Sequence, residues 1–561
     1  MTRGRLVVHA HFYQPLRADP FTGRIPREPA ASPFHDWNER INEECYRANA
    51  QRGNHGHISW DLGPTLASWL KVADLATYEA FVAADVPETA GATADGAGDT
   101  AGNTAGGGGP TTAGDPAGGG GPTTAQPLRR PTRRATDVPD AAAAVHGNAM
   151  AQPFHHAILP LASLADRRTE VRWGIRSFEL RHGRRPDGMW LPETAVDLPT
   201  LRILAEHGIR YTILAPWQAA DSSLDTRRLY RVELGGGRSM GVAFYDGMLS
   251  GAVSFDPTAT ADADAFIRDR LIPRFGMPAA EQEALRGAAT AAGRSRPRPG
   301  ARAHGHDADR ALSPVVVIAS DGELYGHHQT FRDLFLHRLV VGPNGEPATP
   351  PADRGFDVVM LSQLFAEAAP DELPVARIAE RTSWSCHHGV ARWSAECPDA
   401  RDGRWKAPLR AALERLATAI DTVTAEVLRH EARSVDPLDA RDAYVDVVSD
   451  GVAREAFAAR WLGRRARAAS ADRFLDLMEG QRWRLAMFQS DAWYWDDPVR
   501  FETKQVLRAA ARAVRLVDDV AGSRLEDAFC DDLTLFTSPS RGFDGFAIYR
   551  EALAEVAQPA P

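Results

Sequence analysis

Residues 5–15 read RLVVHAHFYQP, a short apolar run that ends in polar and aromatic side chains. Such a run is typical of a buried strand, and it places His9 and His11 at or just beyond the strand's carboxyl end. A second run, SPVVVIASDGE at residues 313–323, has the same form and leads directly into acidic residues. Both runs predict buried strands whose ends carry groups capable of chemistry.

Between these two runs, helical and strand patterns alternate. The segments at residues 168–183 (RTEVRWGIRSFELRHG) and 197–208 (DLPTLRILAEHG) have helical patterns, and IRYTILAP at residues 209–216 has a strand pattern. Repeated strand–helix units predict a parallel α/β architecture, most simply a barrel, over residues 1–404.

Two segments interrupt this pattern. Residues 86–140 consist mostly of Gly, Ala, Thr and Pro, and residues 279–312 are rich in Ala, Arg, Pro and Gly. Such compositions bury too little apolar surface to order the chain, so we expect flexible insertions on the surface of the barrel. Beyond them, long Ala-, Leu-, Arg- and Glu-rich helices predict an all-helical domain at residues 405–520, followed by a C-terminal extension at 521–561.

Composition excludes several classes of protein. With 65 Lys and Arg against 74 Asp and Glu, the net charge is −9, which gives no basic field for nucleic acid or an anionic membrane. Four cysteines in 561 residues cannot form a disulfide framework. Neither a signal peptide nor an apolar stretch of about 18 residues is present, so we expect a cytoplasmic protein.

Three polar clusters follow predicted strands: HAHFYQP, GMWLPE and ASDGELYGHH. Glycosidic cleavage needs two carboxylates, and Glu193 and Asp321 stand at two different strand ends. Glu323 lies two residues beyond Asp321, and crowding of these acids should raise the pKa of one of them, as a general acid requires. A helix cap or a surface ion pair is the alternative role for each carboxylate taken singly.

The histidines suggest a different chemistry. His9 and His11 form an HxH pair on the first strand, an arrangement that metal-dependent amidohydrolases use to hold a catalytic metal. Cys386 and Cys397 offer half of a zinc site, but no other cysteine is close in sequence, which favours two reduced thiols. No phosphate-binding loop of the GxxxxGK[ST] type is present, so nucleotide binding has little support.

Taken in order, these clusters resemble the motifs of glycoside hydrolase family 57, which contains α-amylases, 4-α-glucanotransferases and branching enzymes. HAHFYQP resembles the first motif, AQPFHHAILPL at residues 151–161 the second, GMWLPE the third and SDGELYG the fourth. The resemblance runs from about residue 5 to 400. It is nearest to an amylase- or mannosidase-like subgroup, whose later motifs resemble TSWSCHHGVARW and AWYWDDP.

The resemblance implies an incomplete (β/α)7 barrel followed by an all-helical domain, without a metal or another cofactor. It assigns Glu193 as the nucleophile and Asp321 as the acid/base of a retaining double displacement. It also implies a set of substrate-binding side chains: His11, Gln14, His156, Trp190, Glu323, Trp384, Trp393, Asp496 and Asp497.

We therefore expect a retaining glycoside hydrolase acting on α-glucans, either α-1,4-linked glucose polymers or maltooligosaccharides. A 4-α-glucanotransferase or branching-type transglycosylase is the alternative, because hydrolysis and transfer share both carboxylates. Two further alternatives are an inactive glucan-binding barrel and a metal-dependent hydrolase that uses His9 and His11. The expected partner is an oligosaccharide or α-glucan, with no nucleic acid and no membrane.

Overall fold

The computed structural model describes residues 3–85, 146–276, 314–342 and 355–557. Apolar runs in those ranges form strands, because continuous Val, Leu and Ile side chains are stable where a parallel sheet is covered on both faces. The strands are β1 (Gly4–Phe12), β2 (Ser59–Leu62), β3 (Ala149–Met150), β4 (Tyr211–Leu214), β5 (Leu229–Gly235), β6 (Arg238–Phe244), β7 (Val315–Asp321), β8 (Phe356–Val358) and β9 (Val375–Ala376).

Strand β1 is central to a parallel sheet of order β3-β2-β1-β7, and β8 pairs with its first residues. The register positions the site: His11 lies opposite Asp61 of β2 and opposite Asp321 of β7. Residues in register on neighbouring strands project from the same face of a sheet, so these three polar side chains form one row. The buried strands predicted before His11 and before Asp321 are confirmed.

The second sheet has the order β4-β6-β5-β9. Strands β4 and β6 are parallel, whereas β5 and β6 are antiparallel and form a hairpin. Glycines 235–237 make its turn with positive φ angles, a backbone conformation that glycine adopts without a steric penalty. This hairpin departs from the purely parallel pattern that the sequence predicts.

Backbone contacts join the two sheets at both edges. On one side, parallel bridges link Ala151 to Met189 and Gly188 to Tyr211. On the other side, the Asp246 amide donates to the Val317 carbonyl at 2.7 Å. The described residues thus have a mixed α/β fold in which parallel pairing dominates.

Helices connect the strands and cover the sheets. They are α1 (Trp37–Ile41), α2 (Arg47–Gln51), α3 (Pro64–Ala73), α4 (Leu75–Ala84), α5 (Leu164–His182), α6 (Leu198–Glu206), α7 (Gly247–Phe255), α8 (Ala263–Phe266), α9 (Ile272–Gly276), α10 (Arg332–Val340) and α11 (Leu361–Glu367). Helices α5 and α6 confirm the two helical segments predicted between the strands. The predicted insertions at residues 86–140 and 279–312 lie outside the described residues.

The C-terminal part is helical, as its composition indicates. Its helices are α12 (Lys406–Glu431), α13 (Pro437–Ala443), α14 (Val445–Val448), α15 (Arg454–Leu462), α16 (Ala468–Ala486), α17 (Phe501–Ala521), α18 (Leu525–Leu533) and α19 (Gly545–Ala557). They share a buried core that includes Leu413, Met478 and Val514 and extends to Trp173 of α5. Since the described residues on both sides of residue 405 belong to one compact unit, the predicted domain boundaries stay a prediction.

No helix in the described ranges combines the length and the apolar character that a membrane span requires.

Candidate active site

Asp61, near the end of β2, forms hydrogen bonds with three other side chains of the site. Its fully buried carboxylate accepts hydrogen bonds from His9 Nε2 at 3.0 Å, His11 Nδ1 at 2.8 Å and Gln152 Nε2 at 2.9 Å. Burial alone would raise the pKa of Asp61, but the charge of His11 and the hydrogen bonds from both histidines lower it overall. An ionised carboxylate therefore lies beneath the cluster.

His9 has no ring nitrogen left for a metal. Its Nδ1 lies 3.1 Å from Ser59 Oγ, while its Nε2 lies 3.0 Å from Asp61. Its ring stacks on Trp190 with the centroids 4.8 Å apart. Burial, the largest influence, lowers the pKa of His9. These contacts make His9 a buried packing and hydrogen-bonding residue, which argues against the metal-dependent alternative.

His11 carries a positive charge at neutral pH. Burial favours the neutral ring, but Asp61, Asp321 and Glu323 outweigh it and raise the pKa of His11 to about 9. Its Nε2 lies 3.2 Å from Nε2 of His156. A protonated His11 donates to Asp61 and to His156, which leaves His156 neutral, with Nδ1 2.7 Å from a serine hydroxyl at residue 490.

Asp321 and Glu323 lie at and just beyond the end of β7. The Asp321 side chain reaches solvent, although protein atoms surround its carboxyl group. Burial, opposed by the charge of His11 and reinforced by that of Glu193, raises the pKa of Asp321 to about 6. Burial and the charge of Asp321 raise the pKa of Glu323 to about 7, while the Tyr46 hydroxyl donates to Glu323 at 2.6 Å. Both groups are therefore able to hold a proton near neutral pH.

Glu193 is held in an unusual backbone conformation. Its φ of 56° and the φ of 47° at Thr194 are left-handed, a region that side chains with a Cβ rarely occupy. The turn is fixed from outside: the Trp384 amide donates to the Glu193 carbonyl at 3.0 Å. Trp384 Nε1 at 3.0 Å and Ser385 Oγ at 2.6 Å both donate to Glu193 Oε2, and these bonds fix the orientation of the carboxyl group.

Several predicted binding residues join this cluster. His11, His156, Trp190 and Trp384 form one aromatic group, in which Trp190 and Trp384 meet edge to face with centroids 4.9 Å apart. Trp190 itself is fully buried, and its ring stacks on those of His9 and His11. Gln14 is also buried, and its side-chain oxygen accepts from the Arg17 guanidinium at 3.2 Å.

Three predicted binding residues lie elsewhere. Trp393 is fully buried in the core of the C-terminal helices and has no surface for a sugar. Asp497 uses both carboxylate oxygens to hold the backbone and hydroxyl groups of the turn at residues 538–540. Asp496 is exposed, and its backbone carbonyl accepts from Trp405 Nε1 at 3.3 Å. The structure does not bring the side chains of these three residues into the cluster.

Asp491, which the sequence analysis did not single out, brings a carboxyl group from the C-terminal part of the chain to the cluster. It accepts a 2.8 Å hydrogen bond from the Tyr13 hydroxyl, and the Tyr13 ring stacks on His156 at 3.8 Å. Burial raises the pKa of Asp491 to about 7, and the charge of Glu193 adds to the shift. Asp61 was also missed, although the segment ISWDLG carries the same signal as Asp321, an acid at the end of an apolar run.

Replacement of Ser385 by alanine tests the anchoring of Glu193. Because a hydrogen bond to a charged group contributes about 1.5–3 kcal/mol, we expect Ser385→Ala to lower kcat/KM by about 10- to 100-fold without unfolding the protein. Steady-state kinetics on a glucan and circular dichroism check this. Ser394→Ala, in the same segment, is the matched control, and an equal effect of both changes would contradict the assignment.

Comparison with known proteins adds to this geometry. Residues 147–342 match the family model "Glycosyl hydrolase family 57", and residues 402–558 match a "Domain of unknown function (DUF3536)". The fold is similar to that of an exo-type maltose-forming amylase from Pyrococcus sp. ST04, with a TM-score of 0.62, 13% identity, and coverage of 98% of this chain and 88% of the other. A branching enzyme from Thermococcus kodakaraensis gives a TM-score of 0.50 at 13% identity over 99% of this chain and 95% of its own. Among curated protein sequences, none matches this chain significantly.

The matched segment contains three of the four motifs, and with them His156, Glu193 and Asp321. Over residues 147–342, this chain is therefore similar in sequence to members of glycosyl hydrolase family 57.

Proposed function

We propose that the protein is a retaining glycosidase that cleaves α-glucans, with Glu193 as the nucleophile and Asp321 as the acid/base. The observation that carries this proposal is the contrast between the two carboxylates. Two hydrogen-bond donors fix the Glu193 carboxyl group in place, whereas burial and the charge of Glu193 raise the pKa of Asp321 to about 6. Carboxylates in such opposed settings are the pair that double displacement needs.

The reaction follows from those settings. Protonated Asp321 gives its proton to the glycosidic oxygen while the C1–O bond breaks and a Glu193 oxygen forms an ester bond to C1. Asp321, now a carboxylate, takes a proton from water, and the water oxygen displaces Glu193 from C1. A sugar hydroxyl in place of water would give transfer. Retention requires the two carboxyl groups to lie about 5–5.5 Å apart.

We further propose that the parallel segments form the (β/α)7 barrel of the family. Hydrogen-bonded pairs support this proposal. They link β1 to β2, β2 to β3, β3 to the bridge at Met189, and that bridge to β4; β4 then pairs with β6, β6 leads to β7, and β7 pairs with β1. These strands and the bridge make seven parallel segments. Glu193 and Asp321 follow two of them at the carboxyl end, where active sites of such barrels lie.

The substrate class is supported by the fold and by two exposed aromatic side chains, Trp217 and Tyr494, which we call the aromatic rim. The maltose-forming amylase and the branching enzyme with similar folds are named for activities on α-glucans. Trp217 and Tyr494 are 41% and 44% exposed, and such rings stack well on sugars. Trp217 Nε1 donates to the Ser383 carbonyl at 3.0 Å, and the charges of Glu193 and Asp321 act on the pKa of Tyr494.

Removal of either rim aromatic should weaken glucan binding. We expect Trp217→Ala and Tyr494→Ala each to raise KM for maltoheptaose roughly 10-fold with a smaller change in kcat, because covering an aromatic ring stabilises a complex by about 1.5–3 kcal/mol. Phe543→Ala is the control, since this aromatic is similarly exposed, at 42%, in the turn between α18 and α19 of the C-terminal helices. If KM stays unchanged in both rim variants, these rings do not bind substrate.

The direct experiment is incubation of the protein with amylose and with maltoheptaose, following both reducing ends and product lengths. Hydrolysis adds reducing ends, whereas transfer redistributes chain lengths at a constant number of ends. Activity in either form supports the proposal, and the two readouts separate glycosidase from transglycosylase. If neither glucan changes, the α-glucan assignment fails, and the inactive glucan-binding barrel becomes the account to test by binding.

A further inference from the structure

The segment that anchors Glu193 continues directly into a cluster of four potential metal ligands. Trp384 and Ser385, which donate to Glu193, are followed by Cys386, and His388, Cys397 and Asp399 lie close to it. Each of the four offers one ligand atom, and all four atoms lie within 4.8 Å of one another. The two halves of the cluster have similar spacing, C-x-H and C-x-D.

The distances between the ligand atoms match a tetrahedral site. Zinc binds sulfur at about 2.3 Å and nitrogen or oxygen at about 2.0–2.1 Å, so a tetrahedron has an S–S edge of about 3.8 Å, S–N and S–O edges of about 3.6 Å and an N–O edge of about 3.3 Å. In this structure the Cys386–Cys397 sulfurs are 3.5 Å apart, and Cys397 Sγ is 3.6 Å from His388 Nδ1. Cys386 Sγ is 3.8 Å from Asp399 Oδ2, which lies 3.3 Å from His388 Nδ1. Four edges therefore agree to within about 0.3 Å.

The charge of the four-residue cluster and its access to solvent are also those of a zinc site. Two thiolates, one carboxylate, a neutral imidazole and Zn²⁺ leave a net charge of −1. Two cations face it: Arg392 Nη2 lies 3.9 Å from Asp399 Oδ2, and the charges of both thiols act on the buried Lys406. Lys406 Nζ has no hydrogen-bond partner among the described residues. The thiols are buried while His388 and Asp399 reach the surface, which gives the ion an entry path.

We propose that Cys386, His388, Cys397 and Asp399 bind one Zn²⁺ in a closed, structural site that fixes the segment holding Glu193. Four protein ligands leave no open position for water, which is the pattern of structural rather than catalytic zinc. Binding displaces one proton from each thiol and forms two Zn–S bonds, one Zn–N bond and one Zn–O bond. The sequence analysis favoured two reduced thiols here, because no other cysteine is close in sequence, whereas the structure adds a histidine and an aspartate to the two thiols.

Metal content of the full-length protein tests the proposal without any glucan assay. We expect elemental analysis to find one zinc per chain in the wild type after expression with added zinc, and loss of most of it in Cys397→Ser and His388→Ala. His387→Ala and Cys530→Ser are the matched controls, since each alters the same residue type outside the cluster, and both should keep the zinc. Circular dichroism verifies that the variants are folded.

A second measurement uses the reduced, zinc-free protein and added Co²⁺. Tetrahedral coordination by two thiolates produces sulfur-to-cobalt charge-transfer absorption and intense visible bands, which we expect in the wild type and not in Cys397→Ser. The proposal is overturned if the reduced wild type takes up neither Zn²⁺ nor Co²⁺, or if Cys386 and Cys397 are recovered as a disulfide. Equal metal content in His388→Ala and His387→Ala would overturn the ligand set.

Discussion

Glu193→Gln should abolish the turnover of amylose and maltoheptaose, lowering kcat/KM by about 10³-fold or more. The amide has the same shape and still accepts the hydrogen bonds from Trp384 and Ser385, but it cannot form the ester to C1. The fold should be unaffected, because the turn is held through the backbone of residue 193. Initial rates of both reactions and circular dichroism measure this, with Glu206→Gln on α6 as the control.

Small nucleophiles make this prediction specific. In Glu193→Ala, azide can enter the space that the carboxylate leaves and attack C1 from that face. One displacement then gives a glycosyl azide of inverted configuration, whereas two displacements give retention. Full activity of Glu193→Gln, or a retained azide product from Glu193→Ala, would show that another carboxylate is the nucleophile.

Asp321→Asn has the second large effect, because it removes the proton that the leaving oxygen needs. We expect kcat/KM on maltoheptaose to fall by about 10²- to 10⁴-fold, the usual contribution of general acid–base catalysis. Formation of the ester from an activated aryl or fluoride substrate should be largely spared, because such leaving groups depart without protonation. The measurement is kcat/KM for maltoheptaose and for the activated substrate, in Asp321→Asn and in the exposed control Asp269→Asn. Only Asp321→Asn should lose activity on maltoheptaose while keeping it on the activated substrate.

The pH dependence of kcat/KM tests the same assignment of Asp321 as the acid/base. Asp321 must be protonated to act, so kcat/KM should fall as the pH rises above about 6, and Glu323, with a pKa of about 7, titrates in the same range. Because the charge of Glu193 raises the pKa of Asp321, Glu193→Gln should lower that pKa. Carbonyl-carbon NMR titration of the aspartates measures this shift. A profile without an alkaline limb near these values would contradict the role of Asp321.

The sequence predicts the main strands because their side chains are buried on both faces. Strands β1 and β7 are continuous apolar runs, which favour one structure without knowledge of the neighbours. Helices α5, α12, α16 and α17 are long enough for the spacing of their apolar residues to predict a helix. Strands of two residues, such as β3 and β9, and the bridge at Met189 have too little sequence to be predicted, because only pairing defines them.

The candidate site was predictable where a motif and a strand end coincide. A motif at a strand end points to Glu193 and Asp321, whereas no local pattern points to Asp491, because its contact with Tyr13 joins residues 478 positions apart. The acidic pair that the sequence offered instead, Asp496 and Asp497, has its side chains outside the cluster. Local patterns identify residues able to do chemistry, but contacts between distant segments decide which of them meet.

The most direct test of the central claim is to trap the glycosyl–enzyme ester and identify the residue that carries it. A 5-fluoro-α-glucosyl fluoride reacts quickly in the first displacement and slowly in the second, so the ester accumulates and survives digestion for peptide mass spectrometry. We predict one added fluoroglucosyl group on the peptide containing Glu193. The absence of any adduct during turnover, or an adduct on Asp321, Glu323 or Asp491, would contradict the account.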